Sequence, residues 1–220
     1  KKIAVVGAGP GGLSVAYFLK LQGNDVVVFD ERPGGGGMIR VGPPRYRLPI
    51  ESIAKDVDYI ASLGVEFRFD TRVGDDVRFE DLLDKYDAVY IGTGLTSSRS
   101  TRVENSDRCA AALDFLWRNK GEKKSEVTPE VIVIGGGNVA MDVAREALRL
   151  QHMQHAGKGV VTRVVSLEGW DELPATEEEI REAKEEGIEF NPAWGPKKVL
   201  LDEAGNVSGL LCRKVKSVFD

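Results

Sequence analysis

The chain has 220 residues, of which 42% are hydrophobic and 30% are charged, the balance of an ordinary globular protein. Its formal net charge of -5 disfavours non-specific binding to nucleic acid or to an anionic membrane surface. No apolar run approaches the roughly 20 residues that a membrane span requires. The two cysteines, Cys109 and Cys212, form no Cys-x-x-Cys motif, which disfavours a thioredoxin-like redox pair. These features predict a cytoplasmic protein that binds neither nucleic acid nor membranes.

Two stretches of the chain follow the same plan. In the first, residues 3–6 form a β-branched strand, followed by a Gly-rich turn and an apolar-periodic helix that ends near Leu21. The second stretch has a strand at 131–134, a run of glycines and a helix at 139–150. A continuous apolar strand is typical of the centre of a parallel sheet, because helices cover both of its faces. The repeat therefore predicts two domains of similar architecture.

Strands and helices also alternate through the rest of each half. The first half has predicted strands at 25–30, 65–69 and 88–91, helices at 50–63 and 79–85, and a Gly/Pro loop at 34–44. The second half has a predicted inserted loop at 151–159, a strand at 160–167 and a helix at 176–186. This alternation predicts an α/β fold of two Rossmann-like domains with parallel central sheets. A polar connection at 119–129 separates the halves, and we place the domains at 1–110 and 111–220.

The first Gly-rich turn fits the pattern G-x-G-x-x-G of dinucleotide-binding proteins. Gly7 permits the tight turn, Gly9 lets the backbone approach a diphosphate, and Gly12 allows close helix–strand packing. The helix that follows offers amide N–H groups and a partial positive charge to phosphates. Asp30 lies 18 residues beyond Gly12, at the end of the next strand, where it can accept hydrogen bonds from a ribose. The alternative is a Gly-rich turn without a ligand, but strand, helix and acid together favour a nucleotide.

The second Gly-rich turn, residues 135–140, fits the tolerated variant G-x-G-x-x-A. The acid at the end of its next strand is Glu168, which follows the inserted loop. Two such sites suggest two dinucleotides, one a flavin and the other its hydride donor. Spacing alone leaves open which site holds which cofactor. A further glycine pair, Gly36 and Gly37, either lets the backbone approach the cofactor again or forms a flexible loop.

Six short motifs occur in order along nearly the whole chain: VVGAGPGGLS at 5–14, GGMIR at 36–40, RLP at 47–49, IGTG at 91–94, VIGGGNVAMD at 133–142 and LPAT at 173–176. As an ordered set they resemble the small (beta) subunit of glutamate synthase and its relatives. Those relatives include the flavin arm of dihydropyrimidine dehydrogenase and the NADH-dependent ferredoxin:NADP oxidoreductases. The resemblance implies FAD in the first domain and NAD(P)H in the second. It also implies that hydride passes from nicotinamide to flavin, and that electrons leave through iron–sulfur clusters of a partner protein or large subunit.

These motifs give a set of candidate cofactor-binding residues. The candidates for FAD are Gly7, Gly9, Pro10, Gly11, Gly12, Asp30, Glu31, Gly36, Gly37, Met38, Arg47, Val73, Gly92, Thr93 and Gly94. The candidates for the nicotinamide dinucleotide are Gly135, Gly137, Asn138, Val139, Ala140 and Glu168. Because the cofactors carry the chemistry, we name no catalytic side chain. We also expect no metal site, since His152 and His155 have no third ligand nearby in sequence.

The sequence departs from these relatives in three respects. Their Cys-rich cluster-binding region at the start is absent, and the chain stops at Asp220, about where their late Gly-Asp strand would follow. We therefore expect an FAD domain that is incomplete at its C-terminus. NADPH-using relatives carry paired arginines where this chain has Leu167-Glu168, which predicts a preference for NADH. Two alternatives stay open: a non-catalytic nucleotide-binding fragment, and an adrenodoxin-reductase-like protein that serves a separate ferredoxin.

Overall fold

The computed structural model describes residues 1–95, 101–121 and 124–218. Its internal contacts divide the chain into two compact units, Lys1–Ser97 and Ser98–Asp220. The contacts group residues 101–110 with the second unit, whereas the domain limit predicted from the sequence lies at residue 110. The reason is a set of contacts far along the chain: Glu104 forms a β-bridge with Lys198, and the Asn105 side-chain amide donates to the carbonyl of Val199 at 3.0 Å.

The first unit is a four-stranded parallel sheet with helices between its strands. Its elements are β1 (Lys2–Val6), α1 (Pro10–Leu21), β2 (Asp25–Phe29), α2 (Gly37–Val41), α3 (Ile50–Ser62), β3 (Glu66–Arg68), α4 (Phe79–Lys85) and β4 (Ala88–Ile91). The strand order is β3-β2-β1-β4, and each neighbouring pair is parallel. The carboxyl ends of the strands therefore meet at one edge, where the first glycine turn begins directly after β1.

Both faces of this sheet are buried, which explains the uninterrupted apolar residues of β1 and β2. Val5 and Val28 pack with residues of α1 and α3 on one face. Ala4 and Phe29 pack with Leu82 of α4 on the other face. Alternate residues of a strand point to opposite faces, so burying both faces requires apolar residues at every position.

The second unit combines a parallel sheet with an antiparallel hairpin. Its elements are α5 (Ala112–Lys120), β5 (Glu130–Ile134), α6 (Asn138–Gln154), β6 (Val161–Val165), α7 (Glu177–Glu185), β7 (Glu189–Asn191), β8 (Trp194–Leu201) and β9 (Val207–Lys214), with short 3-10 helices at Ser106–Arg108 and Trp170–Glu172. The parallel sheet has the order β5-β6-β7, and β8 pairs with β9. The predicted α/β fold with two parallel central sheets is confirmed.

The structure differs from the predicted elements in several places, and α5 and β7 are among the elements that were not predicted. The Gly/Pro loop contains the short helix α2, the predicted inserted loop is helical as far as Gln154, and the β8–β9 hairpin was not foreseen. None of the helices in the described parts of the chain is long and apolar enough to cross a membrane.

Candidate nucleotide-binding sites

The first glycine turn packs directly against the end of β4. Gly7 has a φ of +102°, and an ideal Cβ on it would collide with the carbonyl oxygen of Gly92. A Cβ on Gly12 would collide in the same way with the carbonyl oxygen of Gly7. These two glycines are therefore required by the fold itself, as the sequence motif predicts.

Gly9 differs from Gly7 and Gly12, because the protein's own packing does not require a glycine there. Its φ of -74° suits any residue. An ideal Cβ would find Gly37 Cα as its nearest atom, at an ordinary 3.8 Å. Gly9 is also the N-cap of α1, whose first turn leaves amide N–H groups without intrahelical acceptors. Backbone that is open at this point, beside a helix N-terminus, suits the diphosphate of a dinucleotide.

The Gly36–Gly37 pair lies against the first glycine turn. The amide of Gly36 donates to the carbonyl of Ala8 at 2.8 Å. A Cβ on Gly37 would lie 2.6 Å from Gly9 Cα, and both glycines of the pair have positive φ, +116° and +50°. This pair therefore forms a second packed turn beside Gly9, where residues with a side chain would not fit.

Asp30 joins the end of β2 to the first glycine turn. One carboxylate oxygen accepts from the amide of Ala8 at 2.7 Å, and the other accepts from the amide of Arg32 at 2.9 Å. An ionised carboxylate has about four acceptor positions, so two remain for ribose hydroxyls. The position agrees with the ribose-binding role expected for Asp30, which stays a prediction.

The second glycine turn repeats the geometry of the first. The amide of Gly135 donates to Val165 at 2.9 Å, just as Gly7 donates to Phe29 at 2.7 Å. The third position of this motif is Ala140 instead of a glycine. Its Cβ does not crowd the turn, because even a Cβ added to Gly135 would lie an ordinary 3.5 Å from it. Gly137 has a φ of -92° and no atom within 4 Å of an ideal Cβ. As in the first unit, the second glycine of the motif is the one that the fold leaves open.

The carboxylate at the second glycine turn belongs to Glu168, which does not occupy the chain position equivalent to that of Asp30. Ser166, rather than Glu168, is equivalent to Asp30: the amide of Asp30 donates to Arg68, and that of Ser166 donates to Asn191. Glu168 lies two residues farther on, yet its Oε2 is 3.1 Å from the position of a Cβ on Gly136. Because Gly136 corresponds to Ala8, both carboxylates lie at the middle residue of their glycine turns.

The LPAT motif crosses the second glycine turn, a role that its position in the sequence did not reveal. The amide of Ala175 donates to the carbonyl of Gly136 at 3.0 Å. The Asn138 side chain accepts from the amide of Thr176 at 2.8 Å. Asn138, a predicted cofactor contact, therefore also anchors the segment that leads into α7.

The remaining candidates lie near the two turns or at their edges. Val73 packs with the apolar cluster of Phe29 and Leu82. Glu31 follows Asp30 and forms an ion pair with Arg72 at 3.6 Å. The other candidates belong to α1, α2, α6 or the segments that follow α2 and β4: Pro10, Gly11, Met38, Arg47, Thr93, Gly94 and Val139.

The two cysteines are free and both lie in the second unit. Burial raises the pKa of each thiol above its ordinary value, which leaves less thiolate at neutral pH. Within the described residues, no group of three histidine, cysteine or acidic side chains could hold a metal ion.

Sequence comparison finds curated proteins that are similar to this chain over nearly its whole length. The chain is 38% identical over 219 residues to the NADPH-Fe(3+) oxidoreductase subunit beta of Geobacter sulfurreducens, covering 96% of this chain and 32% of that protein. It is 37% identical over 223 residues to the small chain of glutamate synthase [NADPH] of Escherichia coli, covering 96% of this chain and 46% of that protein. The chain thus spans less than half of either relative, and the predicted resemblance to the glutamate synthase small subunit is confirmed.

Solved structures share the fold. FprA of Mycobacterium tuberculosis in complex with NADPH superimposes with a TM-score of 0.74 at 19% identity, over 97% of this chain and 69% of that one. Thioredoxin reductase of T. acidophilum gives 0.67 at 16% identity, over 98% of this chain and 71% of that one. At these identities the likeness concerns the fold alone. Residues 1–211 also match the family described as pyridine nucleotide-disulphide oxidoreductase, and this chain belongs to that family.

Proposed function

We propose that this chain is the flavin- and nicotinamide-binding part of an oxidoreductase. FAD binds the first unit, a nicotinamide dinucleotide binds the second, and electrons pass to iron–sulfur clusters of a partner protein or large subunit. The observation that carries this proposal is the repeated geometry of the two glycine turns. In each unit the motif's second glycine, Gly9 or Gly137, is open, and a carboxylate lies at the middle residue of the turn.

The residues of the first unit fit a flavin dinucleotide. The amides of the first turn of α1 and the backbone of Gly9 would hold its diphosphate, and Asp30 would orient a ribose. Gly36 and Gly37 place additional side-chain-free backbone beside Gly9. A bound flavin accepts a hydride from a reduced nicotinamide and can release its electrons singly. The protein's contribution is to bind, orient and shield the two cofactors.

The second unit fits a nicotinamide dinucleotide, and we propose that NADH is preferred over NADPH. The two relatives described above carry NADPH in their names. This chain, however, has Leu167-Glu168 where the family resemblance implies paired arginines in NADPH-using relatives. The Glu168 carboxylate, held near Gly136, can accept hydrogen bonds from the two hydroxyls of an unphosphorylated ribose.

The proposal is tested by the visible spectrum of the purified protein supplied with FAD. We expect flavin absorbance that bleaches when NADH is added without oxygen, and a Gly9→Val variant that no longer retains the flavin. Valine suits the extended backbone of Gly9 and has room at Cβ, so the variant should fold while its side chain occupies the diphosphate position.

Two results would contradict parts of this assignment. Retention of FAD by Gly9→Val at the parent's level would show that the flavin does not use the first turn. A bound flavin that neither NADH nor NADPH reduces would favour the non-catalytic nucleotide-binding alternative.

A further inference from the structure

Arg40 lies in α2, and its guanidinium folds back over the turn formed by residues 34–37. Its Nη1 donates to the carbonyl of Gly35 at 3.3 Å, and a Cβ on Gly34 would lie 2.8 Å from Nη1. Its Nε is buried and has no hydrogen-bond acceptor. Among the described residues, no carboxylate lies within ion-pair distance of this side chain.

Other arginines of the first unit have carboxylate partners. Arg45 contacts Glu51 at 2.6 Å, and Arg68 contacts Glu66 at 2.7 Å. Arg40 is less exposed than these two and has no such carboxylate among the described residues. Partial burial makes an uncompensated charge more costly. The guanidinium has five N–H donors in a planar fork that matches phosphate oxygens, so an anionic group is the ligand that Arg40 suits.

The position of Arg40 indicates which anion this is. Gly36, within the turn that Arg40 covers, donates to Ala8, and Gly37 packs against Gly9. The turn is thus in contact with the glycine motif that would hold the FAD diphosphate. We propose that Arg40 is an ionic ligand of the FAD diphosphate, which it binds beside the amides of α1. This inference rests on the proposed function, because it requires FAD in the first unit.

The competing explanation is that Arg40 only holds the 34–37 turn in shape through Gly35. That hydrogen bond is long, and a glutamine or lysine could replace it, whereas a contact with phosphate requires the positive charge. The two explanations therefore differ in how the affinity for FAD responds to charge and to salt.

The experiment measures the affinities of the purified protein for FAD and for ADP, which carries the diphosphate without the flavin ring. We expect Arg40→Gln to weaken both about ten- to a hundredfold, as for loss of a hydrogen bond between charged groups, and Arg40→Lys to weaken them less. Raising KCl from about 0.05 to 0.5 M should reduce FAD affinity more in the parent than in Arg40→Gln. Arg78→Gln removes the same charge from an exposed ion pair with Asp81 and should bind both ligands normally.

Several outcomes would overturn the inference. Binding of FAD and ADP by Arg40→Gln within about twofold of the parent would overturn the inference about Arg40 and leave the proposed function standing. Equal weakening by Arg40→Gln and Arg40→Lys, with the parent's salt dependence, would show a structural role only. A parent that binds no FAD would sink the proposed function as well.

A measurement on the parent itself decides the matter if the Arg40 variants do not fold. Phenylglyoxal modifies accessible arginines, and the products can be identified by peptide mass spectrometry. FAD and ADP should each protect Arg40 and leave Arg78 unprotected. Modification of Arg40 at the same rate with and without both ligands would overturn the proposal.

Discussion

At the scale of single residues, the proposed preference for NADH rests on Glu168. Its carboxylate lies near the middle glycine of the second turn, the place that Asp30 occupies in the first. A 2′-phosphate there would bring nearly two negative charges towards this carboxylate. At about 4 Å and an effective dielectric near 20, each unit charge contributes roughly 4 kcal/mol of repulsion. Solvent and side-chain movement remove much of this, yet a remainder of about 1.4 kcal/mol is tenfold in affinity.

We therefore predict that the parent reduces its flavin about tenfold more efficiently with NADH than with NADPH, compared as kcat/KM. The double variant Leu167→Arg, Glu168→Arg should shift towards NADPH, because it restores the paired arginines of NADPH-using relatives. Glu203→Arg makes a similar charge change in the β8–β9 hairpin and should leave the preference unchanged. A parent that favours NADPH would show that Glu168 does not act at the ribose.

The sequence predicted the packing roles of Gly7 and Gly12 because each depends on local backbone geometry. It did not predict the offset between Ser166 and Glu168, which arises where β6 ends its pairing with β7. The contact of Asn138 with Thr176 could not be predicted from the sequence either, since it joins residues 38 positions apart. Contacts of this kind depend on tertiary structure and leave no local pattern.

At the scale of elements, one buried amide side chain adds hydrogen bonds to the apolar packing between α6 and its sheet. Gln151 is fully buried, and its Nε2 donates to the carbonyls of Thr128 and Pro129, both at 2.9 Å. Its Oε1 accepts from the Thr162 hydroxyl at 2.7 Å. The helix was expected to end at Leu150, where polar residues begin. It continues because Gln151 replaces water as the partner of main-chain groups at the start of the sheet.

We predict that Gln151→Leu destabilises the second unit by roughly 2 kcal/mol, because the buried Thr162 hydroxyl loses its acceptor and the hydrogen bonds to the Thr128 and Pro129 carbonyls are lost. Gln154→Leu makes the same chemical change at an exposed position of α6, where water replaces the lost bonds, and should cost less than about 1 kcal/mol. Urea unfolding followed by tryptophan fluorescence measures both effects. The signal is specific, because all three tryptophans, Trp117, Trp170 and Trp194, lie in the second unit. Equal losses in the two variants would contradict the role assigned to Gln151.

The β8–β9 hairpin has a turn sequence from which it could have been predicted. Its turn begins with Asp202, whose carboxylate accepts from the amides of Asn206 and Ala204 at 2.8 Å and 3.0 Å. These hydrogen bonds, above all that from Asn206, lower the pKa of Asp202. An aspartate followed closely by Gly205 and Asn206 is typical of a turn, and it marks the hairpin once the flanking residues are recognised as strands.

At the scale of the whole molecule, the internal repeat was sufficient to predict two α/β units with parallel sheets. The repeat could not locate the boundary between them. That boundary depends on contacts such as the Arg108 guanidinium donating to the carbonyl of Gly205 at 2.9 Å, across 97 residues of sequence. The helix and strand patterns before residue 110 carry no sign that this segment belongs with the distant β8–β9 hairpin.

Two units with separate glycine turns should bind their ligands independently. Gly9 and Gly137 allow a direct test, because both have extended backbone angles that valine adopts and room for its Cβ. A ligand that binds only the folded state stabilises it by about 2.7 kcal/mol at a hundred times its Kd. NAD⁺ should therefore raise the urea midpoint of the tryptophan signal in the parent and in Gly9→Val, but not in Gly137→Val.

The reciprocal result is expected for FAD, whose binding is followed by the quenching or recovery of its own fluorescence. Gly137→Val should bind FAD with the parent's affinity, whereas Gly9→Val should not bind it, since the valine side chain occupies the diphosphate position. Urea curves without ligand come first, and each variant should match the parent, because neither glycine is required by the packing around it. If either substitution removed the response to both ligands while its ligand-free curve stayed normal, the two turns would not be separate sites, and the assignment of one dinucleotide to each unit would fail.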